Sequence, residues 1–170
     1  MHCIFNGFLY YFFFPFYMDK CIFCRIANGE FKGSVIWEDD KHIAFLDLNP
    51  NVKGMTLVIP KKHFDSDVFE MSDEEYSRLM IATKKVVQIL EKALGVLRVA
   101  MVMEGQGINH AHIKLYPMHG LTQKFGEIIE PGTVYFEKYP GYIMTKRGPE
   151  KTIEELNKLA KEIRESVKND

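Results

Sequence analysis

His110, His112 and Lys114 stand at alternate positions in the run His110-Ala-His112-Ile-Lys114-Leu-Tyr116. In an extended strand, side chains two apart point the same way. Two imidazoles and an ammonium then share one face, with Ala111, Ile113 and Leu115 on the other. Such a row offers a nucleophile and two donors for an anion. A solvated polar face on an edge strand has the same pattern. The preceding loop, Glu104-Gly-Gln-Gly107, favours the anion site, because glycines let backbone N–H groups come close to a ligand, as phosphate-cradling loops do. A second pair, Cys21 and Cys24, supplies two ligands of a metal site, stands as a plain reduced pair, or forms a redox couple. Structural zinc takes four ligands, commonly with histidines completing the set, and no thioredoxin-like βαβ context surrounds this pair.

The elements that must position these residues are short. Runs of β type at Ser34–Trp37, His42–Asp47 and Thr56–Pro60 are separated by Glu38–Lys41 and Asn49–Gly54. Ser72 with Glu75 three residues on makes a capping box. Tyr76, Leu79, Met80, Val86, Val87, Leu90 and Leu94 keep a 3.6-residue stripe behind it, and Gly95 can close the helix. Val96 to Met103 and His110 to Tyr116 read as two more strands flanking the glycine loop. His42 and His119 are expected on the surface or in turns. Beyond Pro117 the chain is loop-like, until Thr152 and Glu155 open a second helix with Ile153, Leu156, Leu159, Ala160, Ile163 and Val167 as its stripe. The expected fold class is α+β, a mostly antiparallel sheet with one long helix and a C-terminal helix.

At 170 residues the chain has room for one domain, at about 150 residues each. Its 22 Lys+Arg against 23 Asp+Glu leave a net charge of −1, so no basic excess exists to hold a nucleic-acid backbone. Three cysteines cannot all pair, which disfavours a disulfide scaffold and fits a reducing cytoplasm. Residues 1–17 differ from the rest: they hold nine aromatic residues and no Lys, Arg, Asp or Glu. They lack the charged n-region of a secretory signal, and Asn6, Gly7 and Pro15 interrupt a run shorter than the roughly 20 residues of a membrane span. The expectation is a non-native leader over 1–17 with the true start at Met18; a peripheral hydrophobic arm or an anchor is the alternative. No membrane partner is expected.

Several motifs in register resemble the histidine triad (HIT) family, between about Met18 and Gly120. They are Cys21-Ile-Phe-Cys24-x-Ile26, Ala44-Phe-Leu-Asp47, Val58-Ile-Pro-Lys-Lys-His63, the Gly-Gln segment at Gly105-Gln106, and the His110-x-His112 run itself. The resemblance implies the histidine-triad fold, with a five-stranded sheet, over 18–120 and a C-terminal extension over 121–170. It implies hydrolysis or transfer at the α-phosphate of dinucleoside polyphosphates or nucleoside phosphoramidates, through a nucleotidyl-histidine. On that reading His112 is the nucleophile, and the peptide carbonyl of His110 fixes its tautomer. Gln106 and Gly107 meet the phosphates, with Lys114 at the third triad position. Asp47 takes the ribose hydroxyls, and Ile22, Phe23, Ile26, Phe45 and Leu48 form the slot for a purine base; ordinary core is the other reading of each apolar member. The resemblance also supplies His63 and His110 as partners of Cys21 and Cys24 around a structural zinc, and a homodimer.

This chain departs from the family pattern in three places. The third histidine is Lys114, which keeps a positive donor but lengthens it and fixes its charge. The Ser/Thr after the glutamine, which protonates the leaving group, is Gly107. The Asn before Glu-Gly is Met103. Phosphate binding survives these changes better than leaving-group protonation does. Three functions therefore stand at this point: a nucleotide hydrolase or transferase, a nucleotide-sensing module with weak or no turnover, and a zinc-stabilised interaction domain.

Overall fold

The computed structural model describes residues 21–31, 33–122 and 132–138. The chain divides into two compact units, Met1–Gln123 and Lys124–Asp170. Every helix and strand among the described residues belongs to the first unit; residues 132–138 of the second carry none. The leader over 1–17 and the helix expected after Thr152 lie outside the described residues.

In chain order the elements are α1 (Ile22–Ala27), β1 (Val35–Glu38), β2 (His42–Leu46), β3 (Thr56–Pro60), a 3-10 turn (Val68–Glu70), α2 (Asp73–Leu94), β4 (Val99–Val102) and β5 (Ile113–Pro117). The five strands form one sheet in the order β1-β2-β3-β5-β4, with every neighbouring pair antiparallel. The expected α+β class with a five-stranded antiparallel sheet is what the chain forms.

Helix α2 begins where its sequence says it should. Ser72 Oγ accepts the Glu75 N–H, satisfying one orphan donor, and Asp73, Glu74 and Glu75 complement the positive end of the helix dipole. It ends at Gly95, whose φ of 63° is the left-handed conformation glycine takes at low cost. Leu79, Val86 and Leu90 of its stripe are buried against Ala44, Val58, Ile113 and Leu115, which come from three adjacent strands. Each such side chain contributes roughly 1.5–3 kcal/mol by leaving water. Among the described residues this is the larger of two cores.

The sheet's other face makes the second core. Ile43, Phe45, Leu57 and Ile59 pack under Cys21, Phe23 and Cys24 of the α1 segment. Period two separates the faces: Val58, Ile113 and Leu115 look toward α2, while Phe45, Leu57 and Lys114, paired across β2, β3 and β5, look toward α1. The short helix thus covers one half of that face and leaves Lys114 on the other.

Two strands are shorter than expected. The sequence favours strands over Val96–Met103 and His110–Tyr116, whereas the ladder covers Val99–Val102 and Ile113–Pro117. The reason at β5 is specific. The Ala111 N–H donates to the Phe64 carbonyl, in the loop after β3, so residues 110–112 are tied to that loop and not to a neighbouring strand. His42 also departs from expectation, being only 4% exposed. Its ring Nδ1–H donates to Asp39, whose same carboxylate oxygen accepts the backbone N–H groups of Lys41 and His42. His119 does lie exposed in a turn, with Nε2–H donating to the Lys53 carbonyl. No helix among the described residues is long and apolar enough to cross a membrane.

Candidate functional site

The loop after β3 and the segment before β5 are laced together by side chains. Asn109 Oδ1 accepts the Ser66 N–H at 2.9 Å and its Nδ2–H donates to Asp65 at 3.0 Å. With the Ala111–Phe64 bond, this holds His63 beside His110, their rings 5.0 Å apart and perpendicular.

Helix α1 brings the two thiols to the same place. Cys21 is its N-cap and Cys24 lies one turn on, so both project from one side. Cys24 Sγ lies 3.3 Å from His63 Nδ1 and 3.4 Å from His110 Nδ1, and Cys21 Sγ lies 3.4 Å from His110 Nδ1. One ligand atom from each of Cys21, Cys24, His63 and His110 falls within 4.8 Å of every other. These four form a group able to hold a metal ion.

The surroundings suit that role. His110 donates Nε2–H to the Pro60 carbonyl at 2.9 Å, which fixes the tautomer and turns the bare Nδ1 toward the thiols. Burial, with the neighbouring His63 and His112, pushes His110 down to about 4, so its ring is neutral at neutral pH. Burial and the adjacent Cys21 push the Cys24 thiol up to about 12. A desolvated thiol of this kind ionises when a cation compensates the charge.

His112 follows directly. It is 3% exposed, with Nδ1–H donating to the His110 carbonyl at 2.7 Å. Nε2 is therefore the atom with the lone pair. Phe23 meets the ring edge-on at 5.5 Å between centroids and fixes its plane. Burial first, and the Lys114 charge next among the lowering influences, hold the imidazole below the usual histidine range, against the His110 hydrogen bond and the carboxylates of Glu104 and Asp47. A neutral, oriented imidazole in an apolar cradle is the ground state a nucleophile needs.

Lys114 lies across the sheet from Leu57 and Val102, on the face of α1. The sequence presents it as a lone fixed charge, but its ammonium is ion-paired with Glu104, the two side chains 22% and 14% exposed. Glu104 is the residue that sequence reasoning missed. Its only signal is register: β4 and β5 run antiparallel with Val102 opposite Lys114, so two residues on the chain regains Lys114's side of the sheet. Tyr116 shares that face, and burial raises its phenol, keeping it neutral.

The expected base slot divides. Phe23 and Phe45 are 5% and 4% exposed and meet edge-on, so they are core residues. Ile22 and Ile26 pack beside them, half-buried. Leu48 stands 91% exposed, apart from that cluster. Asp47 is half-buried at the end of β2, and one of its oxygens accepts the Asn49 N–H at 2.7 Å. Gln106 is exposed and lines a cavity of about 340 Å³ between Ser66–Phe69 and Met103–Gln106, a cavity that neither His112 nor Asp47 lines. Gly107 is exposed beside it, with φ of 90°. The structure thus brings His110, His112 and Phe23 together, with the Lys114 charge acting on His112, while Leu48 stands exposed and Gln106 lines the cavity beside Ser66–Phe69.

The five-stranded antiparallel sheet with its helix is shared with known proteins. The sequence profile of the HIT domain matches residues 28–121, and the chain belongs to that family. An uncharacterised HIT-like protein of Methanocaldococcus jannaschii is 42% identical over 116 residues, covering 64% of this chain and 88% of the relative. An adenosine 5′-monophosphoramidase of Schizosaccharomyces pombe is 34% identical over 99 residues, covering 58% of this chain and 74% of the relative. Among solved structures, a HIT family hydrolase from Clostridium thermocellum superposes with a TM-score of 0.54 at 26% identity, over 62% of this chain and 96% of that one.

Proposed function

We propose that this protein is a nucleotide hydrolase or transferase acting at an α-phosphate, of dinucleoside polyphosphates or nucleoside phosphoramidates, through a nucleotidyl-His112 intermediate. The observation that carries the reading is the buried, neutral His112 whose Nδ1–H is committed to the His110 carbonyl. The phosphoramidase activity named for the yeast relative supports the same chemistry. In the first step His112 Nε2 attacks phosphorus, a P–N bond forms, and the bond to the leaving group breaks, with a proton from solvent passing to that group. Water then attacks the phosphoramidate and gives a proton back to solvent, the P–N bond breaks, and the nucleoside monophosphate leaves as the imidazole returns to its neutral form. Lys114 meets the phosphoryl oxygens, where charge accumulates in the transition state. Ile22, Ile26 and Leu48 close on a purine base over the Phe23–Phe45 floor, Asp47 takes the ribose, and Gln106 and Gly107 meet the phosphate chain.

Zinc suits Cys21, Cys24, His63 and His110. Bonds of about 2.3 Å to sulfur and 2.0–2.1 Å to nitrogen in a tetrahedron give an S···N edge of about 3.5 Å, close to the 3.3–3.4 Å found here. The ion would be structural, since four protein ligands leave it no open position. It would hold the ring of His110, and so the carbonyl that orients His112. The protein is a cytoplasmic homodimer on this reading.

Single-turnover reaction with an α-labelled dinucleoside polyphosphate, and separately with a nucleoside phosphoramidate, tests the proposal. Acid-labile label on the protein at His112, followed by release of monophosphate, is the expected result. Tight binding of AMP without label or turnover would favour the sensing module; absence of both would leave the metal-stabilised interaction domain.

A further inference from the structure

We propose that Glu104 is a positioning residue for Lys114, holding its ammonium at the level of His112 where the phosphoryl group is attacked. The inference rests on the function proposed above and adds a part that the family's triad does not need. A histidine ring is rigid and short. A lysine has four methylenes and a strongly hydrated head, and left alone it extends into solvent.

The register shows what Glu104 does about this. Pairing along β4 and β5 runs Val99–Pro117, Ala100–Tyr116, Met101–Leu115 and Val102–Lys114. The ladder ends at that pair, and Glu104 follows it by two residues in the segment that leaves β4. The ion pair between Lys114 and Glu104 ties the ammonium to that segment, and both charges act on His112. Both partners are partly buried, at 22% and 14% exposure, so the contact is less screened than a surface pair.

The backbone on either side keeps Glu104 where it is. Met103 packs against the core beneath α2. Gly105 has φ of 65°, and a Cβ there would stand 3.0 Å from the Ser66 carbonyl oxygen. A glycine is needed for that approach. Glu104 is thus presented from a short segment pinned at both ends. The pair is also close to neutral, so Lys114 adds less to ground-state attraction of an anion than a lone lysine would. Position is gained at some cost in affinity.

These statements separate positioning from a merely structural role. Glu104→Gln frees the ammonium while keeping the side chain's shape. It should lower kcat by about ten- to a hundredfold, the scale of a misplaced catalytic group, with AMP bound as tightly as before or more tightly. In a Lys114→Met background the same substitution should change kcat less than twofold, and Glu104→Asp should restore part of the loss in the single variant. Damage to the loop would instead weaken AMP binding together with kcat, and would do so in either background; that result overturns the proposal. A readout that needs no turnover is the lysine ammonium resonance in 15N-lysine-labelled protein, assigned by its loss in Lys114→Met. It should be sharp and shift on adding AMP in the wild type, and broaden in Glu104→Gln. An unchanged resonance overturns the proposal even if the wild type turns nothing over, whereas wild-type inactivity with the expected spectra refutes the proposed function alone.

Discussion

The carbonyl of His110 accepts the Nδ1–H of His112 at 2.7 Å while the ring of His110 points its own Nδ1 at Cys21 and Cys24. One residue therefore serves two sites, orienting His112, the proposed nucleophile, through its backbone and joining the metal-ligand group through its side chain. The division is chemically necessary, because an imidazole nitrogen committed to a metal cannot also attack phosphorus. It couples the sites as well: whatever fixes the His110 ring also fixes the carbonyl two residues before the reacting nitrogen.

His112→Ala should abolish the covalent nucleotidyl intermediate and leave AMP affinity within about tenfold, or about 1.4 kcal/mol. The nucleophile acts in the transition state, whereas base, ribose and phosphate contacts anchor the ground state. Labelling with an α-labelled substrate and calorimetric titration with AMP check the two halves. Turnover at the wild-type rate in this variant would place the chemistry on another residue.

Much of this arrangement is legible in the sequence, and the gaps have physical causes. Alternation marks Ala111, Ile113 and Leu115 for the core beneath α2, but it does not foretell that His110 and His112 on the other face are buried too. The ladder's late start at Ile113 is not legible, since it depends on the Phe64 carbonyl, a partner 47 positions away that only the fold supplies. Helix α1 has just six residues, too few for a periodicity to be measured, although Ile22–Ile26 and Phe23–Ala27 keep helical spacing. Glu104 escapes for a different reason. Its role arises from strand register, and a glutamate beside a glycine reads as an ordinary turn residue until the opposite strand is in place.

Protein purified without chelator should contain close to one zinc per chain, measured by plasma emission. The Cys21→Ser, Cys24→Ser double variant should lose it and lose several kcal/mol of stability, as removal of a structural metal does. Binding must displace the proton that burial holds on the Cys24 thiol, so affinity should fall as pH falls. Full zinc content in the double variant would refute the ligand assignment.

The chain should form a homodimer. Ile81 on α2 and Met101 on the edge strand β4 are 59% and 41% exposed, apolar side chains that a partner could cover. A self-complementary two-fold contact over helix and sheet edge is the common solution for such surfaces. Light scattering at micromolar concentration should give about twice the 19.8 kDa chain mass, and Ile81→Asp with Met101→Asp should give the single chain. A wild-type protein that scatters only as one chain contradicts this.

Lys114→Met should lower kcat/KM by roughly ten- to a thousandfold, the scale of losing one donor to developing charge. The pH profile carries a second consequence, whose sign follows from the charges around His112. Burial and the Lys114 ammonium hold that imidazole below its ordinary range, while Glu104 and Asp47 act the other way. Removing the ammonium takes away a lowering influence and a cation that offsets the raising charge of Glu104, so both changes raise the histidine. The neutral nucleophile then disappears at a higher pH, and the acid limb of kcat/KM moves upward. Lys114→His should retain more activity than Lys114→Met, because a protonated ring can still pair with Glu104, but its rate should depend more steeply on pH near neutrality. An unchanged rate and acid limb in Lys114→Met would mean that the ammonium serves Glu104 alone, leaving His112 without a cationic partner at the phosphate.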